Sequence, residues 1–388
     1  MLNVEVIDDI DAFEPLEKEW NALLDRYLHG NVFLKHQWLV NYWKAFGTGC
    51  KLKVILVREG ERLVGAVPLI LQTICWKKLP IRLLSFMTDP LSANVRSDFI
   101  LPEEGEETVK ALTAYLYETR LEWDVCILNA VSEESTLLSL YPRTFGASPL
   151  RALEPELYWV LHYLKVEGTW GDYLKVLPKG SRYDFLRGER ILKLLGSPDI
   201  NLSNDPEEVA EELENFFNLE ARSLKQKKKD YTPLNDRTHT YYRTLFRALA
   251  LMQSALVAVL RVNGNPTAAV VAVRYNQVLY ILNTVFNPDF KAGNPGHVLW
   301  GNLIKHAREQ GYKEVDFNGY GQHIQRWKTI GRQCYRISIF SPTVYGRFLY
   351  STKHVLLPFI GRFMPGFLRK EVSRRGDRGI DPGWSEQP

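Results

Sequence analysis

Apolar residues along this chain switch between a helical and a strand period twice. Trp20, Leu23, Leu24 and Tyr27 recur at i, i+3, i+4 and i+7, and Trp38, Tyr42 and Trp43 follow the break His29-Gly30-Asn31, so residues 8–46 are expected to be helical. Two β-rich runs, 52–57 and 63–71, flank Arg58-Glu59-Gly60-Glu61-Arg62, a hairpin signal with glycine in the turn. Further strands are expected at 82–87 and 97–101, then a helix over 106–120 and a buried strand over 124–129.

The second half repeats that order. Residues 256–262, 267–274 and 278–285 read as strands joined by Asn263-Gly264-Asn265 and Tyr275-Asn276-Gln277, an antiparallel meander. A loop ending in Asn294-Pro295-Gly296 opens a helix that Gly311 stops, and 314–318 is another short strand. Strands, helix and strand thus occur twice, about 190 to 200 residues apart, which predicts an internal duplication. Between the two units lies an amphipathic helix, 181–195, carrying Arg182, Arg187 and Arg190 beside Phe185, Leu186, Ile191 and Leu194. A second helix, 206–224, has an acidic start that suits the helix dipole. The run Lys225-Gln-Lys-Lys-Lys-Asp230 reads as a solvated loop.

Composition narrows the class. With 388 residues, 45% hydrophobic and 12% aromatic, the chain is globular and long enough for two domains. Cys50, Cys75, Cys126 and Cys334 form no C-x-x-C pair, so neither a zinc ribbon nor a disulfide framework is indicated, and a reducing cytosol is expected. The acidic first 20 residues do not read as a signal peptide, and no apolar run approaches the roughly 20 residues of a membrane span. Net charge is +4, but residues 345–378 hold eight Lys or Arg against Glu371 and Asp377. The remainder is close to neutral, which excludes a generally basic nucleic-acid binder. In that tail, apolar clusters alternate with basic residues, and Pro358 and Pro365 interrupt any long helix. This pattern predicts peripheral attachment to the cytoplasmic face of a membrane.

Several of these features together resemble one family. Trp20, Trp38 and Tyr42, the strand Val64-Gly65-Ala66-Val67-Pro68-Leu69, Lys179 with Arg182, Leu186 and Arg187, and Pro295-Gly296 before a helix are similar to the CelD/BcsL-type acetyltransferases of the GNAT superfamily. So is the stretch from Gly311-Tyr312 through Asp316-Phe317 and Gly319 to Trp327-Lys328. The resemblance implies an α/β protein of two tandem GNAT-like (acyl-CoA N-acyltransferase) units, with mixed, largely antiparallel sheets and flanking helices, as also in the Fem-type transferases. On that reading residues 1–165 are a mainly structural unit, 166–343 hold the acyl-CoA site, and 344–388 are the basic tail. Acetyl-CoA or a longer acyl-CoA would be the co-substrate, with no metal. The acceptor would be a sugar, a polysaccharide precursor or a lipid amine of cell-envelope or exopolysaccharide biosynthesis. A Fem-like aminoacyl transferase using charged tRNA and a catalytically inactive binding subunit of a polysaccharide synthesis complex are the alternatives. The near-neutral body of the chain counts against the first, and no nucleic-acid partner is expected.

The usual phosphate loop of the superfamily, Q/R-x-x-G-x-G/A, is replaced here by Lys291-Ala-Gly-Asn-Pro-Gly296. A loop entering a helix still presents unpaired N–H groups and the positive dipole end to a pyrophosphate, which makes Lys291, Asn294, Gly296, His297 and Val298 the candidate CoA contacts. Direct acyl transfer also needs a base for the acceptor and an acid for the departing thiolate. Asp316, in the short strand after that helix, is the candidate base, with Tyr320 as acid. Asn318 and Lys328 are candidate acceptor contacts, and His297 and Glu220 further catalytic candidates. Arg182 and Arg187 could hold phosphate bidentately. Each has a structural alternative: an Arg partner or a turn cap for Asp316, packing for Tyr320, surface exposure for His297, helical ion pairing for Glu220 and a solvated helix face for the arginines. No metal-ligand spacing is seen among the eight histidines.

Overall fold

A computed structural model of the chain describes residues 2–76, 78–87, 96–223 and 234–352. The expected loop at 225–230 and the tail from 353 onward lie outside these residues. The described residues fall into two compact units, the first from 2–87, 96–159 and 333–352, the second from 160–332. The boundary thus falls a little before the expected cut at 165, and the stretch after 332 returns to the first unit.

In the first unit, β1 (Leu2–Ile7), β2 (Lys51–Glu59), β3 (Arg62–Trp76) and β4 (Leu79–Phe86) pair antiparallel in order. A helix, Glu106–Glu118, crosses over to β5 (Val125–Ser132), which lies parallel to β4. The short β6 (Arg151–Ala152) and residues 334–340 complete this sheet, the latter antiparallel to β5.

The second unit follows the same plan. It contains part of β7 (Glu156–Lys165), then β8 (Pro198–Ser203), β9 (Ala255–Val262), β10 (Asn265–Tyr275), β11 (Val278–Phe286) and β12 (Glu314–Asp316). The strand order is β7-β12-β11-β10-β9-β8, antiparallel throughout except for β11 and β12. Here the crossover helix is Pro295–Glu309. Meander, helix and parallel strand therefore occur in both units, the duplicated α/β architecture expected from the sequence. The unbroken apolar runs of β9 and β10 are explained by burial on both faces, from Ala255 to Leu260 and from Thr267 to Val273.

Three differences from the expected elements have local causes. Residues 97–101 are not a strand: only Ile100 pairs, exchanging two hydrogen bonds with Ala66 (3.0 and 2.8 Å), while the Asp98 side chain takes the Phe99 N–H. Strand β7 was not expected, because its outer residues are only partly covered and its buried positions do not alternate. The start of the basic tail is a helix, Val344–Ser351, whose Leu349 is buried in an apolar cluster with Ile81, Val125 and Phe340 and whose Tyr345 hydroxyl donates to Pro80 O (2.9 Å). That helix covers the first unit. No described helix is long and apolar enough to cross a membrane.

Asp98 is fully enclosed in the first unit, where it accepts from the Tyr27 hydroxyl and the Ser135 hydroxyl (2.8 Å each). Burial outweighs these bonds and pushes its carboxyl up to about 7. Because an unfolded Asp titrates near pH ~3.9, the folded state holds the proton more tightly, so stability from this group is greatest below that pH and is lost as pH rises through about 7. Urea unfolding at pH 5 and pH 8 should show a clear fall in the wild-type midpoint and a smaller one in Asp98→Asn; equal falls would remove Asp98 as the cause.

Candidate active site

Strands β11 and β12 run side by side for only three residues, Val278–Tyr280 against Glu314–Asp316. Beyond Tyr280, β11 continues to Phe286 paired with β10, whereas the chain after Asp316 turns to follow β7. Phe317 N–H donates to His162 O (3.0 Å) and His162 N–H to Gly319 O (2.9 Å). The sheet parts there, and the gap opens into a cavity of about 610 Å³. One wall is β11 from Ile281 to Phe286, another the start of the helix Pro295–Glu309, and a third is drawn from Phe317 to Arg326. Leu282 is the extra residue of a bulge, since Val271 faces Asn283 while Ala272 faces Ile281.

The helix start is shaped by three consecutive residues. Asn294 adopts the left-handed conformation (φ 47°), and its carbonyl accepts from His297 N–H (3.0 Å) and Val298 N–H (3.1 Å). Pro295 occupies the first helical position, where its missing N–H costs nothing. A Cβ on Gly296 would meet only Phe286 and Thr284, each at 3.6 Å, so the space between helix and strand stays open. One turn further, Trp300 Nε1 donates to Thr284 Oγ1 (2.8 Å), and its ring meets Phe317 edge-on (5.1 Å) and stacks with His323 (5.8 Å).

The helix Lys179–Leu195 clamps this loop from behind. Ser181, Phe185, Gly188 and Leu192 form its buried face. Gly188 lies so close that a Cβ there would stand 2.7 Å from both Gly293 O and the Val298 side chain, and Gly301 leaves room for the Phe185 ring. Such contacts fix where the helix start points.

Behind the third wall, Arg332 bonds Glu314 through both terminal nitrogens (3.0 and 2.9 Å), reaches Asp316 Oδ2 (3.4 Å) and lies 4.0 Å over the Tyr163 ring. The other oxygen of Asp316 accepts the Asn318 N–H (2.7 Å), and Asn318 is left-handed (φ 43°). Asp316 therefore stands behind the cavity wall and Asn318 in it. Among the described residues that line the cavity there is no carboxylate. His297 is largely buried against the Trp327 ring (4.3 Å), and burial lowers its pKa below the ordinary value, keeping the ring neutral at pH 7.

Of the residues expected from the sequence, Asn294, Gly296, His297, Asn318 and Tyr320 line this one cavity. Lys291 is exposed on the preceding turn, and Val298 is packed in the core. Glu220 is buried without lining the cavity, and Lys328 is exposed beyond it. Arg182 donates to Leu174 O (3.4 Å), and Arg187 is exposed on the far side of its helix. Asn283, Thr284, Trp300 and Arg326 also line the cavity without having been expected. A bulge leaves no mark in an apolar run, and a Trp one turn into a helix reads as core.

Residues 179–329 match the family described as an acetyltransferase (GNAT) domain. No curated protein matches the sequence. Among solved structures, the chain is similar to FemX, with a TM-score of 0.62 and 12% identity over 83% of this chain and 95% of that one. It is also similar to the C-terminal domain of a putative lysylphosphatidylglycerol synthetase from Agrobacterium fabrum, with a TM-score of 0.50 and 13% identity over 84% and 92%. At such identities these likenesses are likenesses of fold. The second unit thus carries a GNAT-type acetyltransferase domain, and the protein is an enzyme of the acyltransferase class.

Gly188 tests whether the clamp sets the site. Gly188→Ala should cost about 1–3 kcal/mol in urea unfolding through overpacking against a carbonyl, whereas Gly180→Ala, with nothing within 4 Å, should be neutral or stabilising. Equal effects would mean that the loop yields freely.

Proposed function

We propose that the protein transfers an acyl group from acetyl-CoA or a longer acyl-CoA to a hydroxyl or amine of a sugar, a polysaccharide precursor or a lipid amine, in the manner of the CelD/BcsL-type acetyltransferases of envelope polysaccharide synthesis. The observation that carries this reading is the parting of β11 from β12 beside a helix start that Gly296 keeps open. A pyrophosphate at Gly296 would meet the positive end of a 15-residue helix, whose His297 and Val298 N–H groups already bond Asn294 O. The pantetheine arm would run along β11, where the bulge at Leu282 offers backbone groups to the thioester carbonyl.

The first unit supports the same reading by contrast. Its crossover helix begins at Glu106 and Glu107, just after Glu103 and Glu104, so four carboxylates crowd its positive end. An anionic co-substrate is disfavoured there.

Transfer itself requires that the acceptor lose a proton as it attacks the thioester carbon, that the carbon–sulfur bond break, and that the thiolate gain a proton. Tyr320, half-exposed in the cavity wall, would supply the last of these, and the neutral ring of His297 would receive the first. Asp316 acts through Asn318, whose backbone it holds.

Calorimetric titration of the full-length protein with acetyl-CoA and longer acyl-CoAs should show binding, which Gly296→Glu abolishes by placing a carboxylate among the phosphates. Tyr320→Phe should still bind and lose about 10²-fold or more in turnover. Absence of CoA binding by the wild type, or unchanged affinity in Gly296→Glu, would overturn the assignment.

A further inference from the structure

The helix Lys179–Leu195 has a second face whose use the catalytic reading leaves open. Opposite the buried Ser181, Phe185, Gly188 and Leu192, helical spacing puts Lys179, Arg187, Arg190 and Lys193 together with Tyr183, Leu186 and Leu194. All four cations are exposed, and the apolar side chains are unusually bare: Tyr183 is 61%, Leu186 48% and Leu194 80% exposed. The helix's own carboxylates lie off this face. Asp184 is drawn into an ion pair with Arg326, and Glu189 turns toward Asn302 in a partly buried position. The result is a strip of four positive charges and three apolar tips without a negative charge.

Such a strip is complementary to one kind of partner. A nucleic-acid backbone would satisfy the cations but offers nothing apolar to Leu186 and Leu194. An anionic lipid surface satisfies both, with head groups for the cations and the acyl boundary for the apolar tips. We propose that this face docks the second unit onto an anionic membrane surface. The inner face of the same helix clamps Gly293 and Val298 at the helix start of the cavity. Docking therefore holds that end of the cavity about one helix diameter, ~10 Å, from the lipid, within reach of an acceptor that stays in the bilayer. This goes beyond the acyltransferase reading and stands without it, because it rests on the helix surface and not on the cavity.

The test is sedimentation of the full-length protein with phosphatidylglycerol-containing vesicles and with pure phosphatidylcholine vesicles, at low and high salt. Binding should be selective for the anionic vesicles and should weaken as salt screens the charges. Lys179→Glu/Arg190→Glu/Lys193→Glu should weaken it by at least about tenfold. Leu186→Ser/Leu194→Ser should weaken it several-fold and remove what persists at high salt. Because every changed residue is exposed, both variants should melt like the wild type and should retain acyl-CoA binding. The proposal is overturned if the wild type does not bind, if either variant binds as the wild type does, or if the wild type binds poly(U) as tightly as the vesicles with the leucine variant unchanged.

Discussion

Two acidic residues on the same face of a three-residue strand would repel one another if nothing lay between them, and Arg332 is what lies between Glu314 and Asp316. It is only 8% exposed at its side chain, so its ion pairs are little screened, and its own loss would leave two largely buried carboxylates facing one another with that cation gone. With Arg332 holding one oxygen of Asp316, the other is available to the Asn318 N–H, and this bond keeps Asn318 in a left-handed turn. The turn ends β12 after three residues and sends the chain along β7. The cavity exists because β11 does not turn with it.

The other walls have equally local causes. Close glycine contacts at Gly188 and Gly301 bring two helices together and aim the start of the helix Pro295–Glu309 at the gap. The Trp300 to Thr284 hydrogen bond then ties that helix to β11 across the cavity floor. Aromatic rings from helix and loop, Trp300, Phe317 and His323, meet inside it. The result is an apolar chamber with a few placed polar groups, the usual character of a small-molecule site. Its polar lining comes from Asn283, Asn294 and Asn318 and from Arg326, whose charge is paired with Asp184.

Much of this was legible in the sequence where a periodicity stood alone. The meander of β9, β10 and β11, the helix Lys179–Leu195 and the helix after Asn294 each follow from apolar spacing and from the glycine, asparagine and proline residues that bound them. The pairing of β7 with β12 and of residues 334–340 with β5 was not, because each joins segments far apart in sequence. The site divides in the same way. Asn294, Gly296 and His297 sit at a helix start, a local feature, and all three line the cavity. Asp316 looked like a cavity residue because it ends a strand beside Asn318 and Tyr320. Its true neighbour, Arg332, comes from the following strand, and no spacing rule links the two.

The central claim is that the gap between β11 and β12, and not the matching helix start of the first unit, receives the acyl donor. Amide hydrogen exchange with and without saturating acetyl-CoA tests it most directly. Exchange should slow at residues 281–286 and 294–300 of the second unit and stay unchanged around the glutamate-rich helix start near residue 106 of the first. Slowing at that first-unit helix start, or no slowing along β11, would contradict the account.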